Sequence, residues 1–170
     1  VSVHTGTIPS KTLRETALNL SGWRERGFYG RSYRVKQDLT ANDLRARLHI
    51  TLNHEIEVLE HQFARNQVTT LNGEARFVEQ HAVEVVGEEG EILSFTADRI
   101  LLSVGTVPLR PAHVPFDATS VFDSDEILNL DRLPRTITVI GAGVIGIEYA
   151  TIFSSLDVHV TVVEPRETML

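Results

Sequence analysis

The residues best placed to do chemistry are Gly141, Gly143 and Gly146, spaced as Gly-x-Gly-x-x-Gly, and Glu164, 18 residues beyond the last of them. Glycines at this spacing suit a backbone that must come close to a charged group. Gly141 turns the chain sharply, Gly143 leaves no side chain where a pyrophosphate would lie, and Gly146 lets a helix pack tightly on a strand. A helix opening at Val144 and Ile145 then presents free N–H groups and the positive end of its dipole to the phosphates. Glu164 would accept hydrogen bonds from a ribose diol and repel a 2′-phosphate, which makes NAD the default ligand. Arg166, two residues on, would pair with such a phosphate, so NADP stays open.

These residues need a scaffold, and the surrounding pattern supplies one. A buried strand is predicted over Ile137 to Ile140, a helix carrying Ile147, Ala150, Ile152 and Phe153 follows the glycines, and a β-branched strand from Val158 leads to Glu164. A glycine triplet alone is a weak signal; with strand, helix and acidic terminus in order it reads as a dinucleotide-binding βαβ unit. Upstream, Leu13, Ala17 and Leu20 predict a helix from Ile8 to Leu20 that Gly22 ends, and Gly27 to Lys36 reads as a loop. Thr40 and Asp43 form a capping-box pattern at the head of a helix of about 25 residues, or about 37 Å. Its apolar stripe is Leu44, Leu48, Leu52, Ile56, Leu59 and Phe63, and it ends near Asn66.

Beyond that helix the period becomes alternating. Val68 to Leu71, Ala75 to Val78, Val83 to Val86 and Ile92 to Thr96 predict a small antiparallel meander, with Gly87 to Gly90 as its tightest turn. Ile100 to Val104 reads as a fully buried strand meeting Gly105, after which Pro108, Pro111 and Pro115 form a stiff connector. Ser124 to Leu130 predicts a short capped helix before Pro134, and the domain boundary is placed between Pro108 and Pro134.

The chain of 170 residues, 42% hydrophobic, can bury a core, and its net charge of −7 argues against non-specific nucleic-acid or anionic-membrane binding. No apolar run approaches the length needed to cross a bilayer and no basic-then-apolar signal opens the chain, so the expectation is a soluble, cytoplasmic protein. Without cysteine there is no disulfide and no thiolate metal site. His54 and His61 share a helix face but have no acidic cluster beside them, so no metal is expected, and His4 reads as a local packing residue. Trp23, Phe28 and Tyr29 read as loop packing, and Glu88 to Glu91 as a solvated turn. The sequence lacks an initiator Met and stops just after the second strand of the unit, where a Rossmann half needs at least a third strand. An internal portion of a longer enzyme is the expectation.

At Gly6-Thr-Ile-Pro-Ser-Lys11, the chain resembles the pyridine nucleotide disulfide oxidoreductase family of flavoproteins. The resemblance runs in order through the meander, Ala97 to Pro108 and the βαβ unit. It implies an α/β fold with two dinucleotide-binding domains, present here in part. Residues 1–115 would belong to an FAD-binding domain with its antiparallel meander, 116–135 would form a linker, and 136–170 would begin the NAD(P)-binding domain. The cofactors implied are FAD, NAD(H) and NADP(H), with nicotinamide nucleotides as partners and a homo-oligomer as the assembly.

The family's dithiol motif places two cysteines where this chain has Ser2 and Thr7. Hydroxyls cannot store an electron pair by thiol exchange, so reduced flavin has no route to a disulfide on that face. The string from Gly6 to Lys11 resembles the family's transhydrogenase branch, which typically keeps the first cysteine. That implies FAD-dependent hydride transfer between NADPH and NAD through flavin N5. By the same resemblance Lys11 and Glu148 form the catalytic ion pair beside the flavin, a fixed cation favouring its reduced form. Gly6, Thr7, Lys11 and Gly105 would line the flavin site. Val144 stands where some relatives carry a Tyr over the nicotinamide pocket. The alternatives are a dihydrolipoamide-dehydrogenase-like or metal-reductase-like relative without its dithiol, and a non-catalytic NAD-binding module.

Overall fold

The computed structural model describes residues 2–167. They form two compact units, residues 2–56 with 106–167, and residues 57–105. This grouping by packing cuts the chain differently from the sequential order of cofactor domains expected above.

The first unit is built on helices. Helix α1 spans Thr7–Leu20 and buries Leu13 and Ala17. Thr16 is buried beside them because its hydroxyl donates to the Thr12 carbonyl at 2.7 Å, which satisfies the group within the helix. Gly22 follows in the left-handed region. The expected loop at 27–36 instead starts inside a one-turn helix, α2, at Arg26–Tyr29, which follows a 3₁₀ turn at Trp23–Glu25. Its aromatic residues pack locally: Tyr29 stacks on Tyr33 at 4.9 Å, and the Arg26 guanidinium lies 5.1 Å from the Trp23 ring centre.

Helix α3 runs Ala41–Arg65, 25 residues as predicted. Thr40 N–H donates to Asp43 Oδ2 at 2.9 Å and Asp43 N–H returns to Thr40 Oγ1 at 3.3 Å, the reciprocal capping box. Lys36 bonds the same carboxylate at 2.6 Å, and these donors, Lys36 first, hold its pKa down at about 2. Of the predicted stripe, Leu44 and Leu48 are buried, whereas Phe63 is 42% exposed.

Strand β4 (Thr136–Ile140), helix α4 (Val144–Ser155) and strand β5 (His159–Val163) make a parallel βαβ unit, registered from Thr136 against His159 to Ile140 against Val163. Helix α4 buries Tyr149, Ile152 and Phe153 against Leu13 of α1, Leu44 and Leu48 of α3 and Leu128. The prediction of β4 as a buried strand is corrected. Its residues alternate between half-buried and exposed, ending on exposed Ile140, because a two-stranded sheet with one helix on it has only one covered face. The short helix after Ser124 is a 3₁₀ turn at Glu126–Asn129. Its N-cap, Asp125, makes no side-chain cap bond; instead Asp123, two residues before it, accepts the N–H groups of Asp125 and Glu126 on Oδ1 at 2.9 and 3.0 Å.

The second unit holds β1 (Glu74–Glu79), β2 (Ala82–Val86) and β3 (Ile92–Thr96), an antiparallel meander in that order. Two predicted strands are absent among the described residues. Val68 to Leu71 cannot start one, because Gln67 turns left-handed and Val68 N–H donates back to the Phe63 carbonyl at 2.9 Å, closing α3 with a Schellman motif. Ile100 to Val104 pairs with nothing, and Leu101 and Val104 are 89% and 86% exposed. An apolar run becomes a strand only where a neighbouring strand accepts its backbone bonds.

Candidate functional site

The glycine turn between β4 and α4 has the geometry that its spacing requires. Gly141 adopts φ +100°, which L side chains rarely tolerate, and its N–H donates to the Val163 carbonyl at 2.8 Å, tying the turn to the end of β5. At Gly146 a Cβ would lie 2.2 Å from the Gly141 carbonyl oxygen, so only glycine lets α4 sit this close to the turn. Gly143 is the extended N-cap residue of α4, with no side-chain cap. The first-turn N–H groups at Val144, Ile145 and Gly146 have no intrahelical acceptor and form the donor set a phosphate needs. Val144 and Ile145 are 74% and 59% exposed, so the helix mouth is open.

Glu164 and Arg166 are one device, where the sequence presents two independent residues. Arg166 grips the carboxylate with Nε at 2.9 Å and Nη2 at 2.8 Å, and its backbone N–H donates at 2.9 Å. The Ala142 N–H adds a bond of 2.7 Å from inside the glycine turn. The Arg166 guanidinium first, then these backbone donors, hold the Glu164 pKa down at about 2. Glu164 therefore stays ionised, with its charge largely answered by Arg166. Any ribose hydroxyl would bind a carboxylate already oriented by four donors.

Helix α1 meets this βαβ unit through charge as well as through the buried Leu13. Lys11 and Glu148 form an ion pair between α1 and α4, and Ser10, one residue before Lys11, donates its hydroxyl to Glu148 Oε2 at 3.2 Å. Gly6 is the N-cap of α1 and Thr7 its first residue, with the Thr7 carbonyl 3.3 Å from the Ser10 hydroxyl. At the far end of α4, Asp157 adopts a left-handed conformation. It accepts a two-pronged bond from Arg26, at 2.9 and 3.0 Å, and a further bond from Arg34. Tyr149 donates to the Ser124 carbonyl at 3.2 Å, and burial, then Glu148 and Asp125, raises its pKa so that it stays protonated. Gly105 belongs to the second unit, in a left-handed conformation at φ +73°.

Two contributors escape a sequence reading. Ser10 carries no periodic signal, because its role depends on α4, 138 positions away in the chain. Ala142 acts only through its backbone N–H.

A parallel βαβ crossover with a glycine turn, an uncapped helix mouth and an acidic terminus on the second strand defines a dinucleotide-binding protein of the Rossmann type. The sequence matches the family described as pyridine nucleotide-disulphide oxidoreductase over residues 1–170, and the chain belongs to that family. It is 48% identical over 171 residues to a soluble pyridine nucleotide transhydrogenase of Mycobacterium tuberculosis, covering all of this chain and 36% of that protein. A protein of the same name from Aliivibrio fischeri is 36% identical over 167 residues, covering 98% of this chain and 35% of the relative. The chain thus spans about a third of the length of these curated relatives.

Among solved structures, LpdA from Mycobacterium tuberculosis superposes with a TM-score of 0.86 at 21% identity, over 98% of this chain and 37% of that one. The copper(II) complex of the HOCl-induced flavoprotein disulfide reductase RclA from Escherichia coli does so with a TM-score of 0.77 at 24% identity, over 99% and 34%. The fold is therefore that of the flavoproteins with two dinucleotide-binding domains, of which this chain carries a part. No helix among the described residues is long and apolar enough to cross a membrane.

Proposed function

We propose that this chain is the central portion of an FAD-dependent transhydrogenase that moves hydride between NADPH and NAD without a dithiol. Residues 1–115 belong to the FAD-binding part, 116–135 link, and 136–170 open the NAD(P)-binding domain. The carrying observation is the bridge between α1 and α4, where Lys11 of the altered dithiol helix meets Glu148 of the nucleotide-binding helix. Bound flavin supplies the hydride acceptor and donor. Lys11 supplies a positive charge that favours the reduced, more negative form of the cofactor, and Glu148 keeps that charge in place.

The nucleotide site fits this assignment. The open turn at Gly141, the contact that excludes a Cβ at Gly146 and the free N–H groups of α4 form a cradle for a pyrophosphate. Glu164 takes the adenosine ribose of NAD. Because Arg166 offsets its charge, a 2′-phosphate meets a nearly neutral pair, which suits one site that must admit both nucleotides in turn. With Ser2 and Thr7 at the dithiol positions, the residues hold no thiol to relay electrons to a disulfide substrate. The working form is expected to be a soluble homo-oligomer in the cytoplasm.

Anaerobic stopped-flow absorbance of the flavin-loaded protein tests the reading. NADPH should bleach the flavin and thio-NAD should restore its colour, while oxidised lipoamide should not. Turnover of lipoamide, or protein purified without flavin, would replace this assignment with a disulfide-reductase-like relative or a nucleotide-binding module.

A further inference from the structure

The ion pair between α1 and α4 is held very differently at its two ends. The Lys11 side chain is 58% exposed and the Glu148 side chain 15%. A lysine that exposed, on a flexible four-carbon stem, rests where its partner holds it. The partner is held by Ser10, a residue only 7% exposed. Each oxygen of the Glu148 carboxylate has its own donor from α1: Oε2 takes the Ser10 hydroxyl and Oε1 takes the Lys11 ammonium. The Ser10 hydroxyl has one proton and two acceptors in range, the Thr7 carbonyl at 3.3 Å and the carboxylate at 3.2 Å. The charged acceptor takes it, since a charge-assisted bond is about twice as strong as a neutral one.

We propose that Ser10 is a positioning residue of the hydride-transfer site: it fixes the Glu148 carboxylate in one rotamer and through it holds the Lys11 ammonium against the flavin. This rests on the flavoprotein reading above. Without the hydroxyl, Oε2 loses its donor, the carboxylate turns about its last torsion, and the exposed lysine follows it toward water. The cation then no longer favours the reduced flavin. The expected signature is a lower flavin midpoint potential and slower flavin reduction, with nucleotide affinity retained, because the glycine turn and Glu164 are untouched.

The test uses the flavin-loaded protein with Ser10→Ala, Ser10→Thr, Glu148→Ala and the double variant Ser10→Ala with Glu148→Ala. Flavin potential is read by dye-coupled reductive titration and flavin reduction by stopped-flow with NADPH. Ser10→Ala should lower the potential and slow reduction about tenfold, the effect of one lost bond to a charged group. Ser10→Thr should restore both, and in the Glu148→Ala background removal of the hydroxyl should change the rate less than about twofold. If Ser10→Ala only lowers the melting temperature, leaving potential and rate at wild-type values, the hydroxyl merely ties the first turn of α1 to Thr7 and the proposal fails. An additive double variant would also overturn it. Failure of the wild-type flavin to accept hydride from NADPH would sink the transhydrogenase reading alone, since the titration still reports on Ser10. Protein without flavin would overturn both.

Discussion

The molecule's two sheets solve the problem of burial in opposite ways. The parallel pair β4–β5 exists through its crossover, and helix α4 supplies the burial: Ile152 and Phe153 are 3% and 4% exposed. The meander closes on itself through tight turns and cross-strand pairing, broken once by a register shift between Phe77 and Glu79, yet every residue of β1 and β3 is exposed and β2 is only half-buried. Its cross-strand row of Phe77, Val83 and Phe95 lies in register with two of the three residues open to solvent. One sheet is stabilised by packing on a helix; the other rests on backbone pairing and side-chain contacts along its own surface.

Deleting an aromatic ring from each sheet's surroundings should separate them most sharply. Phe153→Ala removes a ring from the cluster with Leu13, Leu44 and Leu48 and is expected to cost about 3–5 kcal/mol. Phe95→Ala, at a residue 44% exposed, should cost less than about 1 kcal/mol. Equal shifts of the two denaturant midpoints in the full chain would break the contrast.

Backbone shape gives the next largest effect. In Gly146→Ala the new Cβ meets a backbone carbonyl that cannot move aside, so helix and turn must separate at a cost of about 1–3 kcal/mol. Binding of NAD, read by quenching of its fluorescent etheno analogue, should fall with it. Gly90→Ala, in the β2–β3 turn, meets no atom within 4 Å and carries only the strain of φ +85°, about 1–2 kcal/mol. It should leave nucleotide binding intact. The cap of α3 ranks below these: Thr40→Ala removes one side of the capping box and should lower stability by about 1 kcal/mol in thermal unfolding.

What could be read from the sequence follows the same division. The glycine turn, the capping box at Thr40 and Asp43 and the length of α3 are local devices, and each needs only residues a few positions apart. Ile100 to Val104 looks like a strand for the same reason that β4 does, an apolar β-branched run, but a run does not reveal whether a partner strand is there to pair with it. Exposed Ile140 makes the same point, since covering a second face needs elements that no pattern within β4 announces. The ion pair of Lys11 and Glu148 was expected only through the family resemblance, whereas the contacts of Ser10 and the Ala142 N–H arise only from folding. The grip of Arg166 on Glu164 was the hardest to foresee. Two residues apart they read as separate selectors of nucleotide, and the pairing turns them into one.

That pairing gives the smallest predicted effect on stability and the most specific one. The Glu164 pKa is depressed from 4.5 to about 2, so the native state favours the ionised form and the linked stability is complete above the unfolded value. It is lost as the pH falls from the ordinary carboxylate range through about 2. Down to pH 5, then, Glu164 should contribute no pH dependence to unfolding or to the choice between NAD and NADP. Arg166→Gln removes the guanidinium that does most to depress this pKa and leaves the Ala142 N–H in place. Acid unfolding, followed by Trp23 fluorescence, should begin at a higher pH in that variant. The unanswered charge of Glu164 should also repel a 2′-phosphate, so the ratio of NADP to NAD affinity should fall severalfold at neutral pH and recover in high salt, which screens exposed charges. If the ratio held constant, Arg166 would offset no charge that the nucleotide senses, and the open βαβ unit would select its ligand by shape alone.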